Sequence, residues 1–485
     1  MRLSQPIAAA FLTVFILPLM NCGGSSKPSA VTVAPMSATL NPGDAQQFNA
    51  TVTGGNNKSV TWNVNGTPGG SPATGTVTSN GLYTAPTSVS GTLTANVQAV
   101  SAKDSSISAT ATVKVVRRGT ASINRAAEPL PIELGTSGGN SKDESAKFCC
   151  SGTLGALVNR GGSNYILSAN HVLARSGAGV AGDPIIQPGL VDVACTASKG
   201  HVVANLSQSA ALKTSNVDAA LALIVPGSVD TTGGILEFGS NGGAGMPAAD
   251  ATAGSVGMPV AKSGRSTGLT CSSISSVSTT VKVDYQQSCG SGTQFTVTFK
   301  NQLVINGGSF SSAGDSGALI VNSQSAQPIG LLYAGSDTDT VANPINDVLG
   351  ALSDPSSGQV PAIVGGAQHS IDCAAAAQTA SAPLNAAGAI AETPAESIRR
   401  AASVKQVHER DLLANAGVLG LGVGRSEKDA AQPTIVIFVD KHQPPLAIPV
   451  QLDGVPTRVV YGERFRATGW NEKPAAACSI PKRSH

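Results

Sequence analysis

The chain has 485 residues, a formal net charge of +2, 12% charged and 4% aromatic residues, and 55 glycines. A length of this order implies several domains, and the composition is too apolar for a disordered chain and too polar for a membrane bundle. With near-neutral charge and no long basic run, no nucleic-acid partner is expected. Short β-strands joined by Gly-rich turns, hence a mainly β protein, are the expected architecture.

At the N-terminus, Arg2 precedes a short apolar run from Ile7 to Leu19, broken by Pro18. It is too short to span a bilayer and reads as an export signal covering residues 1–22. Leu19-Met20-Asn21-Cys22-Gly23 resembles a bacterial lipoprotein signal, with Asn21 where that pattern has Gly, Ala or Ser. The resemblance implies that Cys22 is lipidated and tethers the protein to a membrane in the envelope of a bacterial cell. The alternative is an ordinary cleaved signal and a secreted protein. Either way the chain meets oxidising conditions, in which Cys149, Cys150, Cys195, Cys271, Cys289, Cys373 and Cys478 tend to pair. Cys271 and Cys289 bracket a strand-rich segment and are the expected pair. No C-x-x-C or H-x-x-x-H spacing appears, so no metal and no cofactor are expected.

Residues 23–29 form a Ser/Gly tether. Between 30 and 116, segments such as Val60-Thr61-Trp62-Asn63-Val64 and Thr110-Ala111-Thr112-Val113 alternate between Gly/Asn/Pro turns, as in a small β-sandwich. Pro42-Gly43, Trp62 and Gly81-Leu82-Tyr83-Thr84-Ala85-Pro86 resemble bacterial immunoglobulin-like domains. Residues 117–147 read as a linker, 148–355 as strands and turns, and 356–392 as an Ala-rich second linker. The period then changes. Thr393-Pro394-Ala395-Glu396 is a capping box, and Ile398, Ala401, Val404 and Val407 recur at helical steps. Strands follow at 418–423, 434–439 and near 458–461, making 393–470 a small α+β domain before a tail at 471–485. His408 on its helix reads as a surface residue.

Hydrolysing an amide with a hydroxyl requires a base near the Ser, an acid to hold that base, and fixed donors for the oxyanion. Gly314-Asp315-Ser316-Gly317 can make a turn whose successive N–H groups converge. Upstream, Tyr165-Ile166-Leu167-Ser168-Ala169-Asn170-His171 reads as a strand running into a His. Asn216-Val217-Asp218 places an acid at the head of the apolar strand Ala219 to Ile224. His201 is the rival base, and Asp192 and Asp230 are the rival acids.

The order His171, Asp218, Ser316 is that of the chymotrypsin fold. With Gly152-Thr153-Leu154-Gly155, Lys262-Ser263-Gly264-Arg265-Ser266-Thr267-Gly268 and Gly330-Leu331-Leu332-Tyr333-Ala334-Gly335-Ser336, the span resembles the trypsin/chymotrypsin-like serine peptidases. It is most similar to their bacterial members. The resemblance implies a double β-barrel and a protein or peptide substrate. It assigns Ser316 as nucleophile, His171 as base, Asp218 as its orienting acid, and the N–H groups of Gly314 and Ser316 as oxyanion hole. It places the primary specificity pocket at Phe310, Tyr333, Ala334 and Gly335. Tyr333 stands where the family has a Ser touching the triad acid, and no family activation sequence precedes Cys149. Asp315 therefore needs a partner other than a new N-terminus, and Arg265 is the expected one. The competing functions are a catalytically inactive protease-fold binding protein and an adhesive surface lipoprotein.

Overall fold

In a computed structural model of the chain, the described residues are 27–40, 45–86, 93–115, 123–373, 395–426, 429, 432–443 and 447–467. They fall into two compact units, within residues 1–116 and 117–485. Both are mainly β, as expected. The signal segment with Cys22, most of the Ala-rich stretch and the tail lie outside the described residues.

In the first unit, the alternation of apolar and polar residues sends every second side chain inward. Leu93–Ser101 is flanked by Ser108–Val115 and Val60–Val64, and Ser37–Leu40 adds in parallel to Ser108–Val115. Trp62, Phe48, Tyr83, Val97 and Val113 form the core. The Tyr83 hydroxyl donates to the Thr74 carbonyl at 2.7 Å, so the phenol is buried without an orphaned donor.

The second unit contains two closed rings of strands. Gly152–Leu154 and Ala156–Arg160 run on from each other; the first half pairs with Thr136–Asn140 and the second with Ser163–Ser168. Pro184–Gln187, His201–Ser209 and Ala220–Ile224 complete the circuit. In the second ring, Pro259–Gly264 pairs with both Gly268–Ser288 and Leu319–Asn322, and Pro328–Gly335, Asp339–Pro344 and Ser291–Asn306 complete it. Closure leaves no free strand edge within a ring. Leu157, Ile166 and Leu221 fill the first barrel, and Ile274, Ile320 and Leu332 fill the second. Truncating one such side chain to Ala costs about 2–5 kcal/mol.

Three segments differ from the sequence expectation. The presumed linker 117–147 carries Thr136–Asn140, a fully buried strand of the first barrel. Its Gly- and Ser-rich sequence imitates a linker because small residues are what this crowded strand accommodates. Within the presumed second linker, Ala362–Ile363 pairs with Ala156–Arg160. The α+β segment does not stand apart either. Val418–Arg425 hydrogen-bonds to Gly268–Ser288, then Pro433–Asp440 and Val455–Gly462 extend the same sheet. The helix Ala395–Leu413 covers that extension, burying Ala401 against Val418, Leu421 and Ile437.

The disulfides are Cys149–Cys195, Cys150–Cys289 and Cys271–Cys373, which corrects the expected Cys271–Cys289 pair. Cys271 lies near the start of the strand Gly268–Ser288 and Cys289 just beyond its end. At about 3.3 Å per residue, an extended strand holds such positions tens of Å apart.

Candidate active site

The site is built where the barrels meet. Thr153, on the first barrel, donates its N–H to the Ser316 carbonyl and its hydroxyl to the Gly314 carbonyl, both at 2.9 Å. On the other side, Asn343 of the second barrel accepts the Asp218 N–H at 2.9 Å.

His171 sits on the single helical turn Asn170–Leu173 that follows the strand Ser163–Ser168. Asn170 anchors that turn through its amide to the Ala210 carbonyl at 2.7 Å. The His171 Nδ1 lies 2.7 Å from Asp218 Oδ2, and its backbone N–H donates to Oδ1 at 3.2 Å. Asp218 is fully buried. Its carboxylate therefore selects the tautomer with the proton on Nδ1 and leaves Nε2 as the basic nitrogen.

A third donor to Asp218 is Tyr285, whose hydroxyl lies 2.8 Å from Oδ2. Burial and then the Asp218 charge push the Tyr285 phenol well above its ordinary range, so it remains a donor. Its ring stacks on Phe295 with centroids 5.5 Å apart and meets His171 edge-on at 6.3 Å. Tyr333 is also fully buried and packs on Phe299 at 5.0 Å, but its hydroxyl has no hydrogen-bond partner among the described residues. Tyr285, on another strand, thus makes the contact to the acid that the resemblance located at position 333.

Ser316 lies in a turn that requires its glycines. Gly314 has φ +98° and Gly317 φ +95°, and a Cβ on Gly317 would stand 2.0 Å from Ser168 Oγ. The Ala313 carbonyl accepts the Ser266 hydroxyl, and the Asp315 carbonyl accepts the Ala318 N–H at 3.0 Å. In a trans peptide the N–H points opposite the C=O. These anchors therefore turn the Gly314 and Ser316 N–H groups away from Ser266 and Ala318 respectively.

Asp315 is satisfied without a new N-terminus. Its carboxylate accepts the N–H groups of Ser266 at 2.7 Å, Thr267 at 3.2 Å and Ser312 at 2.9 Å, and the Thr267 hydroxyl at 2.7 Å. Lys262 Nζ lies 3.5 Å away, completely buried and 5.7 Å from the Phe310 ring centroid. Burial pulls the Lys262 amine below its usual range, and the charges of Asp315 and Glu237 oppose that. Arg265, the partner expected from sequence, instead grips Asp192 with two bonds of 2.7 and 2.9 Å.

The rivals lie elsewhere. His201 is exposed at the head of its strand opposite Gln187, and Asp230 accepts the Thr232 N–H at 3.1 Å. His408 lies 2.9 Å from Asp453 at the surface. Phe310 packs with Ile274, Ile305 and Ile320 in the barrel core, while Ala334 and Gly335 pair with Val341 and Thr340. Asp143, Cys150 and Cys289 come together, but both cysteines are spent in the Cys150–Cys289 bridge. Asp143 lines a small cleft with His171 and Arg175; burial raises its carboxyl to about 6, against the lowering charges of His171 and Arg175.

The Ser316 hydroxyl makes its hydrogen bond to the Ala467 carbonyl at 3.4 Å, and no bond to His171 is present among the described residues. Sequence reasoning missed Tyr285, Asn343, Lys262 and Ala467. Only Tyr285 left a signal: a Tyr on the inward face of an alternating strand usually finds a polar partner, although Tyr333 does not among the described residues.

No family model matches the chain, and neither does any curated protein. Among solved structures, a glutamic acid specific serine protease is similar at 18% identity and a TM-score of 0.34, covering 48% of this chain and 100% of that one. Thermobifida fusca protease A is similar at 17% identity and a TM-score of 0.33, covering 48% of this chain and 99% of that one.

Proposed function

We propose that the chain is a serine endopeptidase of trypsin-like type, with Ser316, His171 and Asp218 as its triad. The observation that carries this reading is the His171–Asp218 couple at 2.7 Å, built across the junction from the turn that holds Ser316. In the reaction, Ser316 Oγ attacks the carbonyl carbon while His171 Nε2 takes the hydroxyl proton. The negative oxygen is held by the Gly314 and Ser316 N–H groups. The C–N bond then breaks, His171 gives its proton to the leaving amine, and the acyl-Ser316 ester remains. Water repeats the sequence and releases the acid. Asp315 is met by backbone donors and Lys262, which supports a site that forms without cleavage of the chain.

The substrate is a protein or peptide, and export from a bacterial cell with a lipid on Cys22 is part of the same proposal. Incorporation of labelled fatty acid, lost in Cys22→Ala, tests the anchor; no incorporation into wild type favours simple secretion. The enzyme is tested with an alkyl fluorophosphonate. Labelling that is lost in Ser316→Ala is expected, and no labelling of any folded form that keeps Ser316, with or without the strand 465–467 in place, overturns the reading. One observation favours a second reading, an inactive protease-fold binding protein: Ser316 bonds Ala467 rather than His171.

A further inference from the structure

The last described residues of the chain run into the site. Phe465–Arg466 pairs in parallel with Val283–Asp284 and antiparallel with Gly335. Gly335 ends the strand that carries Tyr333 and Ala334. The Ala467 N–H donates to the Asp284 carbonyl at 3.2 Å, and its own carbonyl accepts the Ser316 hydroxyl at 3.4 Å. A hydroxyl has one proton, so the one given to Ala467 is not offered to His171 Nε2. An edge already paired with Arg466 is also closed to an incoming peptide strand. One short strand therefore withholds both the nucleophile's proton and a backbone docking edge.

The segment is held at several points. Phe465 is buried edge-on to Phe438, with centroids 5.6 Å apart. Arg464 reaches Asp284 at 2.9 Å and Asp440 at 3.7 Å. The Glu463 N–H donates to Asp337 at 2.7 Å, and Lys441 bridges Asp337 and Glu463 at 2.8 and 3.0 Å. These holding groups come from the α+β segment and from the second barrel, so the extension of the sheet positions the strand over Ser316.

We infer that Phe465–Ala467 is an intramolecular plug: the C-terminal strand lies in the substrate groove as a bound peptide would and keeps Ser316 unreactive until it is displaced. This rests on the peptidase reading. The test compares alkyl fluorophosphonate labelling rates of the full-length wild type, Arg464→Glu, and Arg464→Glu with Ala467→Pro, each with folding checked by circular dichroism. Arg464→Glu sets like charges against Asp284 and Asp440, and Pro at 467 removes the N–H bond to Asp284. Labelling rises about threefold in the single variant and about tenfold in the double. Equal or lower rates in the double variant overturn the plug and leave Ser316 a nucleophile. No labelling in any of the folded proteins overturns the peptidase reading and the plug together. Wild type alone supplies a second measurement: hydrogen exchange at 465–467 accelerates once Ser316 carries the adduct, and unchanged exchange on labelled protein overturns the plug.

Discussion

Tyr285→Phe isolates one hydrogen bond at the heart of the site. The ring and its stacking on Phe295 remain, and only the 2.8 Å donor to Asp218 Oδ2 is removed. Asp218 is fully buried, away from bulk solvent. A hydrogen bond to a charged group contributes about 1.5–3 kcal/mol. The folded state loses stability of that order, read from urea denaturation at neutral pH. If the misplaced imidazole costs the transition state as much again, beyond what the free enzyme loses, kcat/KM falls by about 10- to 100-fold, since 1.4 kcal/mol is a factor of ten. An unchanged kcat/KM would refute the assignment of Tyr285 as a positioning residue. A stability loss without any kinetic change would reduce it to a core tyrosine.

Asp218→Asn keeps the shape of the couple but removes the acceptor that selects the tautomer, and kcat is expected to fall by about 10⁴ in a peptide-hydrolysis assay with the fold intact. Lys262→Met leaves Asp315 buried beside an apolar chain. It lowers stability by about 3–5 kcal/mol in urea denaturation, and a second change of Asp315→Asn recovers part of that loss. Among the described residues, one Glu128 carboxyl oxygen is buried without a hydrogen-bond partner, and burial raises this group to about 7. The folded chain therefore binds its proton more tightly than the unfolded chain, and stability falls as pH rises from about 4.5 to about 7. Glu128→Gln flattens that slope and is the more stable form at pH 8, by at most about 3 kcal/mol; a denaturation series across this range decides it.

Much of the fold was legible because it rests on local rules. Alternation in Leu93–Ser101 and Ser108–Val115 follows from the strand period, and the helix Ala395–Leu413 from the spacing of Ile398, Ala401 and Val404. The capping residues Thr393 and Pro394 lie outside the described residues. Thr136–Asn140 was unreadable as a strand, because small residues selected by crowding look the same in sequence as a linker. The disulfide partners were equally hidden, since spacing along the chain says little about which of several cysteines the closed barrels bring within reach.

The chain by itself determined the chemistry available: a Gly-flanked Ser316, a His171 at the end of a strand, and an acid at the head of another. Those depend on residue type and on the few residues either side. Tertiary structure decided which groups meet. It gave Asp315 to Lys262 rather than Arg265, brought Tyr285 rather than Tyr333 to Asp218, and laid Ala467 on Ser316 across 151 positions of sequence. Contacts at such separations are set by barrel closure and by how the strands stack, and no local pattern encodes them.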